Sequence, residues 1–226
     1  MADQLRAARE SRPSSAPVIN IWYGDNQSFG QIGSPQPMIN ILGNATAQDG
    51  IASLTMSLNG EPSQMLSLGC NLYRLAHPGD FNAEIDRRAL SEGANVVEIV
   101  ATDSSGGSCR KKVTVNYAPG TSWPLPYSID WSRVNNIQDV AQIIDGHWLL
   151  DSTGVRSAFP YYDRVIAMGD NSWKDYEAML TVTWNCLPVL NNKGGAPYQD
   201  HAHASICLRW QGHDNDGRRP PRQWWP

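Results

Sequence analysis

The sequence predicts an all-β chain made of two β-sandwich domains, the second incomplete. Three observations carry this. Nineteen glycines and fifteen prolines are spread along 226 residues, which favours many turns and short strands over long helices. Apolar residues recur with period two in stretch after stretch, the spacing of half-buried strands. From Ala118 onward lie eight of the nine Trp and five of the eight Tyr, while basic and acidic residues divide evenly between the halves. A step in aromatic density without a step in charge predicts two domains with different surfaces. At 18% charged residues and a net charge of -4, the chain is too uncharged to be disordered and not basic enough for a nucleic-acid binder. No run approaches the roughly 18 apolar residues of a membrane span, so no membrane insertion is expected.

Residues 1–16 read as a mobile tail: 3–10 are compatible with two helical turns, and Ser11 to Pro17 would stop them. No apolar stretch marks this tail as a secretory signal. Strands are predicted at 18–23, 38–42, 51–58, 64–68, 81–85, 95–102 and 109–117. In the last of these Cys109, Val113, Val115 and Tyr117 share one face, and Arg110, Lys112, Thr114 and Asn116 the other. Asn59-Gly60, Pro78-Gly79-Asp80, Glu92-Gly93 and Ser104 to Gly107 supply turns between them. Seven strands within 17–117 is the count of an immunoglobulin-type sandwich. Residues 118–122, Ala-Pro-Gly-Thr-Ser, read as a short linker. In 123–226, strands are predicted at 127–131, 140–144, 147–150, 164–168, 176–184 and 203–210. The clearest alternation is Tyr176, Ala178, Leu180, Val182 and Trp184 toward a core, with Glu177, Met179, Thr181 and Thr183 opposite.

Two resemblances follow from these residues. Leu90-Ser91-Glu92-Gly93-Ala94-Asn95, then Val97, Ile99, Ala101, Asp103 and Gly106, resembles the L-x-x-G-x-N-x-V-x-I-x-A-x-D-x-x-G pattern of bacterial immunoglobulin-like and cadherin-like domains. That resemblance implies a spacer that presents neighbouring modules on surface or secreted proteins. Cadherin-type calcium binding would need acidic clusters, and Asp49, Asp80 and Asp103 stand singly. In the second domain, Asp145 to Trp148, Tyr162-Asp163-Arg164 and Gly169 to Glu177, followed by Ile206 to Trp210, resemble the first half of concanavalin A-like and laminin G-like jelly rolls. Arg209 to His213, an R-W-x-G-H segment, is similar to segments of uncharacterised secreted bacterial proteins. A jelly roll of this family runs to about 150–200 residues, so 123–226 reads as truncated at its C-terminus. The architecture implies an extracellular or cell-surface location, although the chain carries no signal peptide. It also implies a monomer whose partner is a polysaccharide or glycan, or else a cell-surface protein.

That family contains both glycan-binding modules and glycoside hydrolases. Hydrolysis needs two carboxyl groups across the scissile bond, and family-16 hydrolases of this fold place theirs in an E-x-D-x-(x)-E strand. Here Asp175 and Glu177 form the one candidate pair, with no third acid after them. The function expected is therefore a non-catalytic adhesion or carbohydrate-binding module. The alternatives are a partial or degenerate glycoside hydrolase and a purely structural surface segment. Candidate ligand-binding residues are Trp173, Arg209, Trp210, His213, Trp224 and Trp225, because Trp faces pack on sugar C–H faces while polar groups hold the hydroxyls. Trp148 and Trp184 sit in strand patterns and read as core. No cofactor is required. The weak metal candidates are a zinc pair at His201 and His203, whose third ligand, such as His213, the sequence does not fix, and a calcium-loop start at Asp214 and Asp216. Cys70 with Cys109, and Cys186 with Cys207, fall in pairs by domain, as intradomain disulfides would; four buried free thiols are the alternative.

Overall fold

The computed structural model describes residues 16–71, 74–159, 163–184, 204–214 and 217–222. Residues 1–15 of the predicted tail 1–16 lie outside them. Eight strands build the first sandwich: β1 (Val18–Ile21), β2 (Asn26–Phe29), β3 (Met38–Thr46), β4 (Ile51–Leu58), β5 (Gln64–Met65), β6 (Asp80–Asp86), β7 (Gly93–Asp103) and β8 (Ser108–Tyr117). One sheet runs β1-β3-β6 and the other β2-β8-β7-β4-β5. All pairings are antiparallel except β2 with β8. The seven predicted strands are all present, and β2 is the addition. Asn26-Gln27-Ser28 has no apolar alternation to reveal it, but the free edge of β8 gives it a ladder. Thr114 N–H donates to Asp25 O at 2.8 Å, and Ala118 N–H to Phe29 O at 2.9 Å.

The facing surfaces of the two sheets share one core. Ile19, Ile21, Ile39, Ile41, Phe81, Ala83 and Ile85 meet Leu54, Met56, Val97, Ile99, Ala101, Val113 and Val115. Burial of each large side chain is worth about 1.5–3 kcal/mol. The polar residues of the 90–106 pattern secure both ends of β7. Asn95, fully buried, accepts from Ser91 N–H at 2.9 Å and donates to Ser91 O at 2.8 Å, fixing the turn before the strand. Asp103 accepts from Ser105 N–H, Ser105 Oγ–H and Gly107 N–H at 2.7–2.9 Å, fixing the turn after it.

After β8 the chain does not swing free. Thr121 Oγ–H donates to Gly30 O and Ala118 O, which ties 118–122 to the first sandwich. Four more strands follow: β9 (Gln142–Asp145), β10 (Trp148–Asp151), β11 (Gly154–Ser157) and β12 (Val165–Ala167). They form two two-stranded pieces, β12-β9 and β10-β11. These pieces share a second, smaller core with the outer face of the three-stranded sheet: Leu42, Ile137, Ala141 and Ile143, flanked by Trp22, Tyr23, Trp148, Leu150, Val155 and Ile166. Outside these twelve strands the described chain holds three 3-10 turns of three residues each and is otherwise turn and irregular. No helix among the described residues is long and apolar enough to cross a membrane.

Three strand predictions fail. Residues 127–131 end in a 3-10 turn, while 176–184 and the described part of 203–210 form no ladder. Leu180, Val182 and Trp184 are about half exposed, so the predicted core face is uncovered beyond Tyr176. Trp184 is therefore not core. Alternation makes a strand only where a neighbouring strand supplies hydrogen bonds, and none among the described residues does so here. The expected Cys70–Cys109 bridge is also absent, for both thiols are free. Cys109 lies on β8, in the five-stranded sheet, whereas Cys70 is exposed on the loop that Gly69 bonds to Asp80 at the head of β6, in the other sheet. Cys207 is likewise free and exposed, and Cys186 lies outside the described residues.

Candidate ligand-binding surface

Strand parity puts Phe81, Ala83 and Ile85 of β6 into the main core, so Asp80, Asn82 and Glu84 point outward. At Asn82 and Glu84 that outer face is covered by β9 and Arg222, and both side chains are consequently buried. A continuous chain of bonds satisfies them. Gln36 Nε2–H donates to Asn40 Oδ1 at 2.8 Å, Asn40 Nδ2–H to Asn82 Oδ1 at 2.9 Å, and Asn82 Nδ2–H to Asp145 Oδ1 at 3.0 Å. Arg74 closes the chain, its Nε–H donating to Asp145 Oδ1 at 2.5 Å and its Nη1–H to Glu84 Oε1 at 2.7 Å. Arg74 Nη1–H also donates to Arg222 O, and Arg222 N–H donates to Glu84 Oε2 at 2.7 Å. Burial opposes the charge on Arg74, and Asp145 and Glu84 more than restore it.

Asp145 and His213 meet in this layer with Nε2 and Oδ2 at 3.8 Å. Burial pushes the Asp145 carboxyl up to about 7, against Arg74 and with a contribution from Glu84. Burial and the cations Arg74 and Arg222 push His213 down to about 3. Near neutral pH His213 is therefore an uncharged imidazole, edge-on to Trp210 at 5.1 Å between ring centres. The layer is a structural clamp in which most donors and acceptors engage one another, while Arg74 Nη2 and Asp145 Oδ2 are buried without a hydrogen-bond partner among the described residues. It was not legible in the sequence, because outward polar residues on a strand ordinarily mark a solvent face.

A second set of residues forms a surface of rings. The turn 169–173 is locked to the first sandwich. Ser34 N–H donates to Asp170 Oδ2 at 2.8 Å, Asn171 N–H to Ser34 O at 3.2 Å, and Ser172 N–H to Asp170 Oδ1 at 2.8 Å. Burial would raise the Asp170 carboxyl, but these bonds and the nearby Arg87 charge hold it below its ordinary value. Only glycine fits at 169: its φ is +100°, and a Cβ would sit 2.8 Å from the Trp173 ring. Trp173 Nε1–H donates to Trp123 O at 3.2 Å. Trp123 stacks on Tyr127 with centres 3.9 Å apart and planes 8° apart. Trp173 tilts against both, and Tyr176 meets its edge at 5.8 Å. Trp123 is buried, while Tyr127, Trp173 and Tyr176 are half-buried, leaving three ring faces or edges at the surface.

Of the predicted ligand-binding residues that are described, only Trp173 joins this group. Tyr127 and Tyr176 were missed as site residues, since nothing local separates a platform tyrosine from a core one. Trp210 is half-buried beside His213, Arg209 is exposed, and Trp224 and Trp225 lie outside the described residues. Asp175 and Glu177 are both exposed, and Asp175 has φ +52° outside any strand, so no strand face carries them as a pair. Among the described residues no group of three or more His, Cys, Asp or Glu is arranged to hold a metal. Asp214 is described and exposed, whereas Asp216, His201 and His203 lie outside the described residues.

No family model matches the chain, and no curated protein sequence matches it. Among solved structures, an endo-β-1,4-mannanase from Thermotoga petrophila aligns with 53% of this chain at 7% identity and a TM-score of 0.35. The chain spans 23% of that protein, and a likeness at that score carries no argument about substrate.

Proposed function

We propose that the chain is a non-catalytic extracellular adhesion or carbohydrate-binding module, in which an immunoglobulin-like sandwich carries a concanavalin A-like region. The observation that carries this reading is the ring surface of Tyr127, Trp173 and Tyr176, backed by Trp123 and held rigid by the Asp170 turn. Rigid, partly exposed aromatic faces next to polar turns suit the alternately apolar and hydroxylated surface of a pyranose. The strand order of the first sandwich supports the immunoglobulin-like part. It separates β1-β3-β6 from β8-β7-β4-β5, as that fold separates A-B-E from G-F-C-C′, with β2 added along the edge of β8.

The test is a polysaccharide array probed with the whole chain and with Tyr176→Ala, which removes an edge contact without touching the Asp170 bonds. Binding that falls about tenfold in the variant, the weight of one lost aromatic contact, is expected. A folded parent chain silent on every polysaccharide refutes the reading. Release of reducing sugar that Glu177→Gln abolishes refutes the word non-catalytic.

A further inference from the structure

The parallel pair β2 and β8 ends at one rim of the five-stranded sheet, and the two chains then part. β2 turns inward at Gly30, β8 runs into Ala118, and the crossing is tight enough that a Cβ on Gly30 would lie 2.6 Å from Ala118 O. Beside this crossing an open cavity of about 340 Å³ remains, lined chiefly by Ser28, Gln31, Glu92, Gly93, Asn116 and Tyr117. Small-molecule sites run from about 300 Å³ upward, which at this size admits one or two sugar rings.

We propose that this rim is a second saccharide site, specific for a neutral hexopyranose, so that the first sandwich is itself a binding module. This rests on the glycan-binding reading for its ligand class, but on different residues. Tyr117 packs one side against the main core and lines the cavity with the rest, supplying the flat apolar surface. Around it stand a hydroxyl at Ser28, amides at Gln31 and Asn116, and the exposed carboxylate of Glu92. This is the mixture that fixes sugar hydroxyls. Asn116 is oriented by donating from Nδ2 to Asn26 Oδ1 at 2.6 Å. Gln31 donates through Nε2 at only 3.3 and 3.4 Å, and its Oε1 is buried without a hydrogen-bond partner among the described residues. An amide with weak donors and an unsatisfied acceptor gains by turning to a ligand hydroxyl. Among the described residues no Lys or Arg lines the cavity while Glu92 does, which selects against uronic acids and sulfated sugars.

The experiment is amide-resolved NMR titration of the whole chain with glucose, galactose and mannose oligosaccharides, and with oligogalacturonate as the anionic probe. Saturable shifts at Gly93, Asn116 and Ala118 with a neutral oligosaccharide, and none with oligogalacturonate, are expected. Tyr117→Ala should abolish them. Glu92→Gln, at an exposed position whose loss leaves the fold intact, should weaken them about tenfold, as loss of a charge-assisted hydrogen bond does. Tyr176→Ala should leave them unchanged. Shifts confined to the ring surface around Trp173 overturn this inference while sparing the proposed function. Shifts confined to the rim sustain it and remove the ring surface. Saturation by oligogalacturonate, or no shifts at either place, overturns it.

Discussion

Asp145 and His213 carry opposite titration shifts 3.8 Å apart, and replacing either one should expose the other. The folded Asp145 pKa is raised from 3.8 to about 7, so its stabilisation is complete at pH values below 3.8 and is lost as pH rises through 7. The folded His213 pKa is lowered from 6.5 to about 3, so its stabilisation is complete above 6.5 and is lost as pH falls through 3. Between about pH 4 and 6.5 the folded chain therefore holds a proton on Asp145 and none on His213, and the unfolded chain holds the reverse. One proton is worth about 1.4 kcal/mol per pH unit, and in the parent chain the two slopes cancel. In Asp145→Asn the stability difference from the parent should climb with pH by about that amount per unit across the window. In His213→Gln it should fall by the same amount. The remaining member keeps its shift in each case, because burial, the Arg74 and Arg222 charges on His213, and Glu84 and Asp163 beside Asp145 all persist. Urea unfolding followed by Trp fluorescence at several pH values, with the m-value checked for constancy, reads both slopes. Two flat differences, or two of the same sign, would refute the assignment of protons in the clamp.

Three further outcomes are expected. Phe81→Ala, at a fully buried position, should cost about 3–5 kcal/mol in urea unfolding, whereas Met179→Ala, at 97% exposure, should stay within about 0.5; equal costs would mean that the core is misplaced. A thiol reagent without reductant should label Cys70 and Cys207 rapidly in the native chain and half-buried Cys109 more slowly, and a Cys70–Cys109 bridged peptide in mass spectrometry would contradict the fold. Gly169→Ala should cost about 1–3 kcal/mol and alter the near-UV circular dichroism of the ring cluster, since φ +100° and the Trp173 ring leave no room for a Cβ; an unchanged midpoint and spectrum would free Trp173 from that turn.

Much of the first sandwich was legible because its signals are local. In β4, β6, β7 and β8 the alternation states which face goes inward, and Asn59-Gly60 or Ser104 to Gly107 states where the chain turns. The pattern around 90–106 was legible too, and its Asn95 and Asp103 prove to be turn-fixing residues. The candidate site was hardly legible at all: Trp173 was singled out, but Tyr127 and Tyr176 joined it only through packing.

The sequence alone determined an all-β chain and the inward faces of the strands of the main core, since period-two alternation depends on neighbours in the chain. Tertiary structure decided whatever depends on residues far apart in it. The polar strand β2 exists because β8 offers an edge, and 176–184, with a better pattern, is no strand for want of one. Asn82 and Glu84 have the parity of a solvent face, yet they are buried because β9, Arg74 and Arg222 lie over them. A hydrogen-bonding partner or a covering layer is a property of the folded chain, and no run of residues announces it in advance.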